Sequence, residues 1–313
     1  MEESYNLYPS KPKLKEKEEK KNWSATAFSL VLFIASFLLL FSENIQFLVF
    51  LVVVLFIHEM GHFLFMKLFK YKNVKMLFVP LMGAFVQGAK KVYSQKESFW
   101  VVLGGPVPGV IFGVVGAIFA FEFEINWLLE LSTVFILLNM INLLPLDPLD
   151  GGQLFRLLVK YDHDLFLMIF SLVSSLILIA TGFFIDSWPL MVFGFLMSFR
   201  VRSIQKRFMV RKTLKQRKIN YQLSYEELTD ADYSRIRSVV LDQNVSLQKY
   251  QDLDNSNTDM VIAEHVNTVL EIPLIQDTGI VFKMFVVLFW VLCFIAPVYL
   301  FMEFGGRFGW YFI

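Results

Sequence analysis

The chain has 313 residues and a formal net charge of +1, and it is 56% hydrophobic with 35 phenylalanines. A soluble domain of this length has too little interior to hide so much apolar surface, so an ordinary soluble fold is excluded and a bilayer is implied, as is a mean hydropathy of +0.55. The near-neutral charge gives no basis for a nucleic-acid partner, and the single cysteine, Cys293, excludes an internal disulfide and a cysteine-based zinc site.

Residues 1–22 interleave lysine and glutamate without an apolar period, as in Lys11–Lys21 (KPKLKEKEEKK), which predicts a disordered tail on a membrane surface. Ala25–Phe41 predicts a first span. Ser42-Glu43-Asn44 behind it offers no small-x-small cleavage site, so an uncleaved helix is expected rather than a signal peptide. Gln46–Phe69 predicts the second span, and it carries His58-Glu59-Met60-Gly61-His62. Histidines four apart on a helix share one face, a spacing that lets two neutral imidazoles hold one Zn²⁺. Glu59, one residue round, is placed to act as general base on water. Two core histidines satisfied by hydrogen bonds are the bland alternative. Three ionisable groups within five residues of an apolar span cost roughly 2–4 kcal/mol each at mid-membrane, which argues that they have a task.

Lys67–Trp100 is lysine-rich but encloses Met76–Gln87 (MLFVPLMGAFVQ), which is apolar and too short to span. Pro80 and Gly83 in its middle predict a hairpin that dips into the membrane and returns, with Met76–Phe78 and Ala84–Val86 as its edge segments. An interfacial loop is the alternative. Val101–Phe121 predicts a third span whose Gly105, Gly109 and Gly113 let another helix approach closely. Trp127–Leu144 predicts a fourth, with Asn139 and Asn142, running into Pro145-Leu-Asp147-Pro148-Leu-Asp150-Gly151-Gly152. Leu165–Phe184 predicts a fifth span and Trp188–Phe199 a short sixth. Arg200–Lys218 then carries nine Lys or Arg and no acid. Ile219–Thr278 reads as soluble sequence, with a helix expected at the capping box Ser224-Tyr-Glu-Glu227. Ile280–Met302 predicts a final span.

If the chain starts inside, the lysines before the first span, around the hairpin and after the sixth span share one side. Glu122, Glu124 and Asp186 then face outward, as the positive-inside rule requires. The pentad, the hairpin and Asp150 all fall near the cytoplasmic leaflet. A catalytic zinc needs a third protein ligand and an open position. Asp147, Asp150, His163, His265 and Glu130 are the candidates. Asp150 follows a helix end broken by Pro145 and Pro148 and precedes two glycines that let backbone approach closely. A carboxylate on an irregular segment at membrane depth is a functional suspect, though physics alone leaves Asp147 open.

HEMGH in one span followed by NLLPLDPLDGG, with an apolar hairpin and GGPVPG between them, resembles the site-2 protease family of intramembrane zinc metalloproteases. That family pairs HExxH with Asn-x-x-Pro-x-x-x-Leu-Asp-Gly, here Asn142, Pro145, Leu149, Asp150 and Gly151. The resemblance covers about Gln46–Gly152. It implies His58, His62 and Asp150 as ligands of one Zn²⁺, Glu59 as the base, and Asn142 near the metal, where its amide faces the substrate backbone or an oxyanion. Many relatives carry Asn just after their Gly-Pro, whereas here Gly105-Pro106 is followed by Val107. Neither a PDZ nor a CBS domain is recognisable.

The expected fold class is an all-α integral membrane protein. It is a polytopic helix bundle of about six or seven spans with a membrane re-entrant β-hairpin and a small cytoplasmic region. Its expected parts are a tail at 1–22, a membrane protease core at 23–199 (catalytic over about 46–152), a cytoplasmic region at 200–279 and a C-terminal span at 280–303. The expected activity is hydrolysis of peptide bonds within or near transmembrane segments of membrane proteins, in regulated intramembrane proteolysis. Gly83 and Phe85 of the hairpin are candidate substrate contacts by strand addition. The expected location is a bacterial cytoplasmic membrane with the N-terminus inside, and the partners are the lipid bilayer and membrane-spanning substrates. A non-catalytic scaffold or adaptor that kept the fold, and more remotely a transporter, would leave Glu59 without a purpose.

Overall fold

The computed structural model describes residues 8, 10–14, 23–40, 44–79, 83–158, 163–248, 256–272 and 274–304. The described chain is mostly helical and divides into two compact units.

The first unit comprises Lys20–Lys90, Ser94–Lys160 and Gln276–Ile313. Its helices are α1 (Trp23–Leu40), α2 (Ile45–Leu68), α3 (Gln95–Gly104), α4 (Pro106–Phe123), α5 (Asn126–Asn142) and α6 (Asp150–Leu158). The last helix of the chain, Ile280–Phe304, belongs to this unit as well. Asn44 caps α2 by accepting from the Phe47 N–H at 3.0 Å, and the helix then runs unbroken through the pentad. The third predicted span is two helices. Ser94 caps α3, the chain turns at Gly105, and Pro106 opens α4, where its missing N–H costs nothing.

The apolar stretch between α2 and α3 forms an antiparallel hairpin of β1 (Lys72–Val79) and β2 (Gly83–Ala89). Gly83 takes φ +112°, a conformation that suits glycine, while Pro80 lies outside the described residues. Phe33 of α1 packs on Met76 and Phe78 of β1, with Met60 and Phe63 of α2 against the same cluster. Thr26 Oγ1 donates to the Met76 carbonyl at 3.1 Å, and Ser29 Oγ accepts from the Phe78 N–H at 3.3 Å. The outer edge of β1 is therefore capped by α1. Because the even-numbered β1 groups point outward, the register Met76↔Val86, Leu77↔Phe85 and Phe78↔Ala84 fixes which β2 groups face away. The N–H and C=O of Ala84 and Val86 lie on the outer edge, whereas those of Phe85 bond to Leu77.

The second unit comprises Met1–Glu19, Lys91–Tyr93 and Tyr161–Ile275. It holds α7 (His163–Phe184), α8 (Trp188–Gln216), α9 (Asp230–Gln243), α10 (Val245–Gln248) and α11 (Ser256–Val269); the last helix of the chain, named above, is α12. Two expectations change here. The helix expected over Trp188–Phe199 does not stop there: α8 is one helix of 29 residues that passes from apolar to basic without a break. A change of charge does not break a helix, and no glycine or proline follows Gly194 in α8. The capping box at Ser224 and Glu227 is present, but it opens only a 3₁₀ turn, Tyr225–Glu227. Leu228 is extended, and α9 starts under its own cap, Thr229. Ile236, Val239, Ile262 and Val266 form the core of this unit. Within the tail predicted to be disordered, Lys11 donates from Nζ to the carbonyls of Tyr225, Glu226 and Leu228 at 2.6–2.9 Å. Most of that tail lies outside the described residues.

Among the described residues, four helices are long and apolar enough to cross a membrane: Ile45–Leu68, Gln95–Phe123 taken across its break, Asp164–Phe184 and Ile280–Glu303. Thr26–Leu38 and Asn126–Asn142 are apolar but shorter.

Candidate metal centre

His58 and His62 face the same way from α2 because they stand one turn apart, and both are buried at 3% and 8% exposure. Asp150, the first residue of α6, reaches them. Its Oδ2 lies 3.0 Å from His58 Nε2 and 3.2 Å from His62 Nε2, and the two Nε2 atoms are 3.2 Å apart. Among the described residues this is the one cluster of three such side chains whose donor atoms converge closely enough for one ion.

The outer nitrogens decide what the inner ones can do. His62 Nδ1 lies 2.7 Å from the carbonyl of Val101, which can only accept, so Nδ1 carries the proton. His58 Nδ1 lies 2.8 Å from Asn139 Oδ1, and Asn139 is oriented by donating from Nδ2 to the Phe135 carbonyl at 2.7 Å. Both Nε2 atoms therefore present lone pairs to each other and to a carboxylate oxygen. Three lone pairs converging in an apolar interior repel unless a cation lies among them. A tetrahedral zinc with bonds of about 2.0–2.1 Å holds its donors about 3.3 Å apart, close to the spacing here. The donor set of two imidazoles and a carboxylate suits zinc and leaves one position for water.

Close backbone contact makes the convergence possible. A Cβ on Gly61 would stand 1.9 Å from the Gly104 carbonyl oxygen, and one on Gly105 would stand 2.3 Å from His62 Nε2. On Asp150's side, a Cβ on Gly151 would stand 2.0 Å from the Leu143 carbonyl. That same carbonyl accepts from Trp290 Nε1 at 2.9 Å, so α12 braces the segment that carries Asp150. Asp150 Oδ1 faces Gln153 Nε2 at 3.4 Å.

The other carboxylates and histidines weighed from sequence are placed otherwise. Asp147 is buried at 2% exposure, with Arg156 3.6 Å away, and is outside the cluster. Glu130 accepts from Gln46 Nε2 at 2.6 Å. His265 is exposed and its Nδ1 lies 2.9 Å from the Val261 carbonyl of its own helix. The His163 side chain lies outside the described residues. Glu59 is buried at 5% exposure, and the Val86 backbone N–H of β2 faces its carboxylate, so the hairpin edge and the candidate base meet. Asn142 is half-buried at the last turn of α5.

Asn139 is the residue that sequence reading passed over. It was visible as a polar residue one turn before Asn142 in an apolar helix, but no motif marked it. A Cβ on Gly109 would stand 2.1 Å from Asn139 Nδ2, so the glycine spacing of α4 does serve close packing and also makes room for this amide.

Residues 46–131 match the sequence profile of Peptidase family M50. That segment contains the pentad and the hairpin but ends before Asn142 and Asp150. The chain is 29% identical over 134 residues to stage IV sporulation protein FB of Bacillus subtilis, covering 41% of this chain and 45% of that protein. It is 32% identical over 114 residues to zinc metalloprotease MJ0392 of Methanocaldococcus jannaschii, covering 34% of this chain and 33% of that protein. The matches thus span less than half the length of either relative. The solved site-2 protease from Methanocaldococcus jannaschii aligns at 23% identity and a TM-score of 0.44, over 55% of this chain and 87% of that one. With its membrane-capable helices, the chain is an integral membrane protein that resembles the site-2 proteases.

Asn139→Ala leaves the His58 ring without its acceptor, so zinc affinity is expected to fall about 10–100-fold. Asn142→Ala is expected to leave affinity unchanged. Competition for zinc against a chromogenic chelator, run on both variants, checks this; equal losses would remove the special role of Asn139.

Proposed function

We propose, on the premise of the Peptidase family M50 match over residues 46–131, that this chain is an intramembrane zinc metalloprotease that hydrolyses peptide bonds within or near membrane-spanning segments of other proteins. The observation that carries the proposal is the convergence of His58 Nε2, His62 Nε2 and Asp150 Oδ2 with both Nδ1 atoms already engaged. Zinc held there would polarise the scissile carbonyl and acidify water.

The chain's own groups then divide the work. Glu59, one residue from His58 and facing the same space, takes a proton from the attacking water. It passes that proton to the amine as the peptide C–N bond breaks, leaving a carboxylate and a free amine. The apolar walls keep bulk water from competing. Asn142 offers an amide at the end of α5 for the substrate backbone or the developing oxyanion.

A substrate helix hides its carbonyls in its own hydrogen bonds and must unwind locally before attack. The outer edge of β2 supplies backbone partners for such a segment by strand addition. Its N–H and C=O groups at Ala84 and Val86 point away from β1, and Val86 adjoins Glu59. Gly83 permits the turn, and Phe85, 43% exposed, offers its side chain to the incoming segment. A cytoplasmic N-terminus, with the hairpin near the same leaflet, is supported by the lysine distribution, and a bacterial cytoplasmic membrane is the location proposed with it. Regulated proteolysis of membrane-spanning substrates is the corresponding biological role. A scaffold that kept the fold is disfavoured because it gives Glu59 no purpose.

Glu59→Gln keeps the shape and removes the proton acceptor. In a reconstituted assay on a transmembrane substrate, cleavage is expected to drop by at least about 10²-fold with zinc retained. Undiminished turnover would rule Glu59 out as the base.

The hairpin edge is tested by a pair of prolines. Ala84→Pro removes an outward N–H that β1 does not use, so zinc content should hold while cleavage falls. Phe85→Pro removes a ladder donor to Leu77 and should lower stability as well as cleavage. If Ala84→Pro cleaves normally, substrate does not pair with this edge.

A further inference from the structure

Within the second unit, α8, α9 and α11 enclose a cavity of about 640 Å³ that no step of the proposed proteolysis uses. Lys206 and Arg207 line it from α8, with Asn244, His265 and Thr268 across from them, and no carboxylate is among its lining residues. The cationic side is not neutralised from behind. Arg211 holds Asp164 at 2.8 and 3.0 Å and also has Glu271 at 3.6 Å, so it engages both nearby carboxylates. Among the described residues, the one carboxylate within ion-pair distance of Arg207 is the same Asp164, 3.8 Å from its buried Nε, which makes no hydrogen bond. Lys206 has no ion-pair partner among the described residues. Arg207 and Lys206 thus bring two cations to a space whose other lining groups carry no negative charge, a setting that favours an anionic ligand.

The position of the cavity narrows the ligand. Asp164 opens the membrane-capable helix Asp164–Phe184, and both arginines stand against it. Arg207 is therefore level with the end of an apolar helix about 30 Å long, where phospholipid phosphates lie in a bilayer. Apolar side chains of Val210 and Val240 line the same cavity, which suits the glycerol and upper acyl carbons better than a fully hydrated ion. The nine Lys or Arg of 200–218 add a field that concentrates anionic headgroups there.

We propose that this cavity binds a phosphate group through Arg207 and Lys206, with an anionic phospholipid headgroup as its source. The full chain, purified in non-ionic detergent, is titrated with phosphatidylglycerol and with phosphatidylcholine, and bound lipid is counted by native mass spectrometry. Phosphatidylglycerol is expected to bind more tightly than phosphatidylcholine. Lys206→Gln should weaken phosphatidylglycerol about fivefold, the effect of one headgroup–cation contact, without changing phosphatidylcholine. Arg207→Gln should weaken it further. Lys206 is exposed and makes no ion pair among the described residues, so its variant tests binding even if Arg207→Gln disturbs the packing around Asp164. Inorganic phosphate, added as competitor, separates the sources: retention of lipid assigns the site to the headgroup, and displacement assigns it to a soluble phosphate. Equal affinity for both lipids, or a Lys206→Gln variant indistinguishable from the parent chain, would overturn the proposal.

Discussion

Three lone pairs held within 3.2 Å of one another in an apolar interior are the constraint on which the rest of the first unit depends. Left to themselves, His58 Nε2, His62 Nε2 and Asp150 Oδ2 would move apart or take up a proton. They stay because backbone, not side chain, fills the surrounding space. Gly61 against Gly104, Gly105 against His62 and Gly151 against Leu143 are contacts that a single methyl group would break. Asn139 and the Val101 carbonyl then fix which nitrogen of each ring is left bare. Close packing and polar orientation are thus parts of one device, and α12 joins it through Trp290.

The hairpin belongs to the same device. The β1 edge is met by Thr26 and Ser29 of α1, whereas β2 turns the backbone groups of Ala84 and Val86 away from β1, and the Val86 N–H faces Glu59. For the proposed protease, a candidate base and an open strand edge lying side by side match the two demands of cutting a helix, which must first be unwound and then attacked. In this register Phe85 pairs with Leu77 within the ladder, while Ala84 and Val86 present their backbone groups outward.

Much of this was legible from residue types. The i, i+4 histidines in an apolar run predicted both the helix and the shared face, and the glycines at 105, 109 and 113 predicted a close neighbour. The proline-broken segment by itself left Asp147 open beside Asp150, and it was the Asn-x-x-Pro-x-x-x-Leu-Asp-Gly pattern that favoured Asp150. The structure brings Asp150 to the two histidines and places Arg156 3.6 Å from Asp147, a contact that no spacing rule contains. Asn139 was missed because a lone amide in a helix gives no period and no motif; its meaning arises only when α5 lies against α2. The continuity of α8 was missed for the opposite reason. A sharp change from phenylalanine to arginine looks like a boundary, but backbone hydrogen bonding does not respond to charge. The helix expected at Ser224 was shortened to a 3₁₀ turn because the true cap, Thr229, lies five residues on.

Metal content tests the central claim most directly. A buried imidazolium–carboxylate network would keep its shape without any metal, whereas a ligand set binds stoichiometrically. Elemental analysis of the purified chain beside His58→Ala and Asp150→Ala should find about one zinc per chain in the parent and almost none in either variant. A parent chain without stoichiometric zinc, or zinc that survives the loss of His58 or Asp150, would contradict the metal centre and the protease reading built on it.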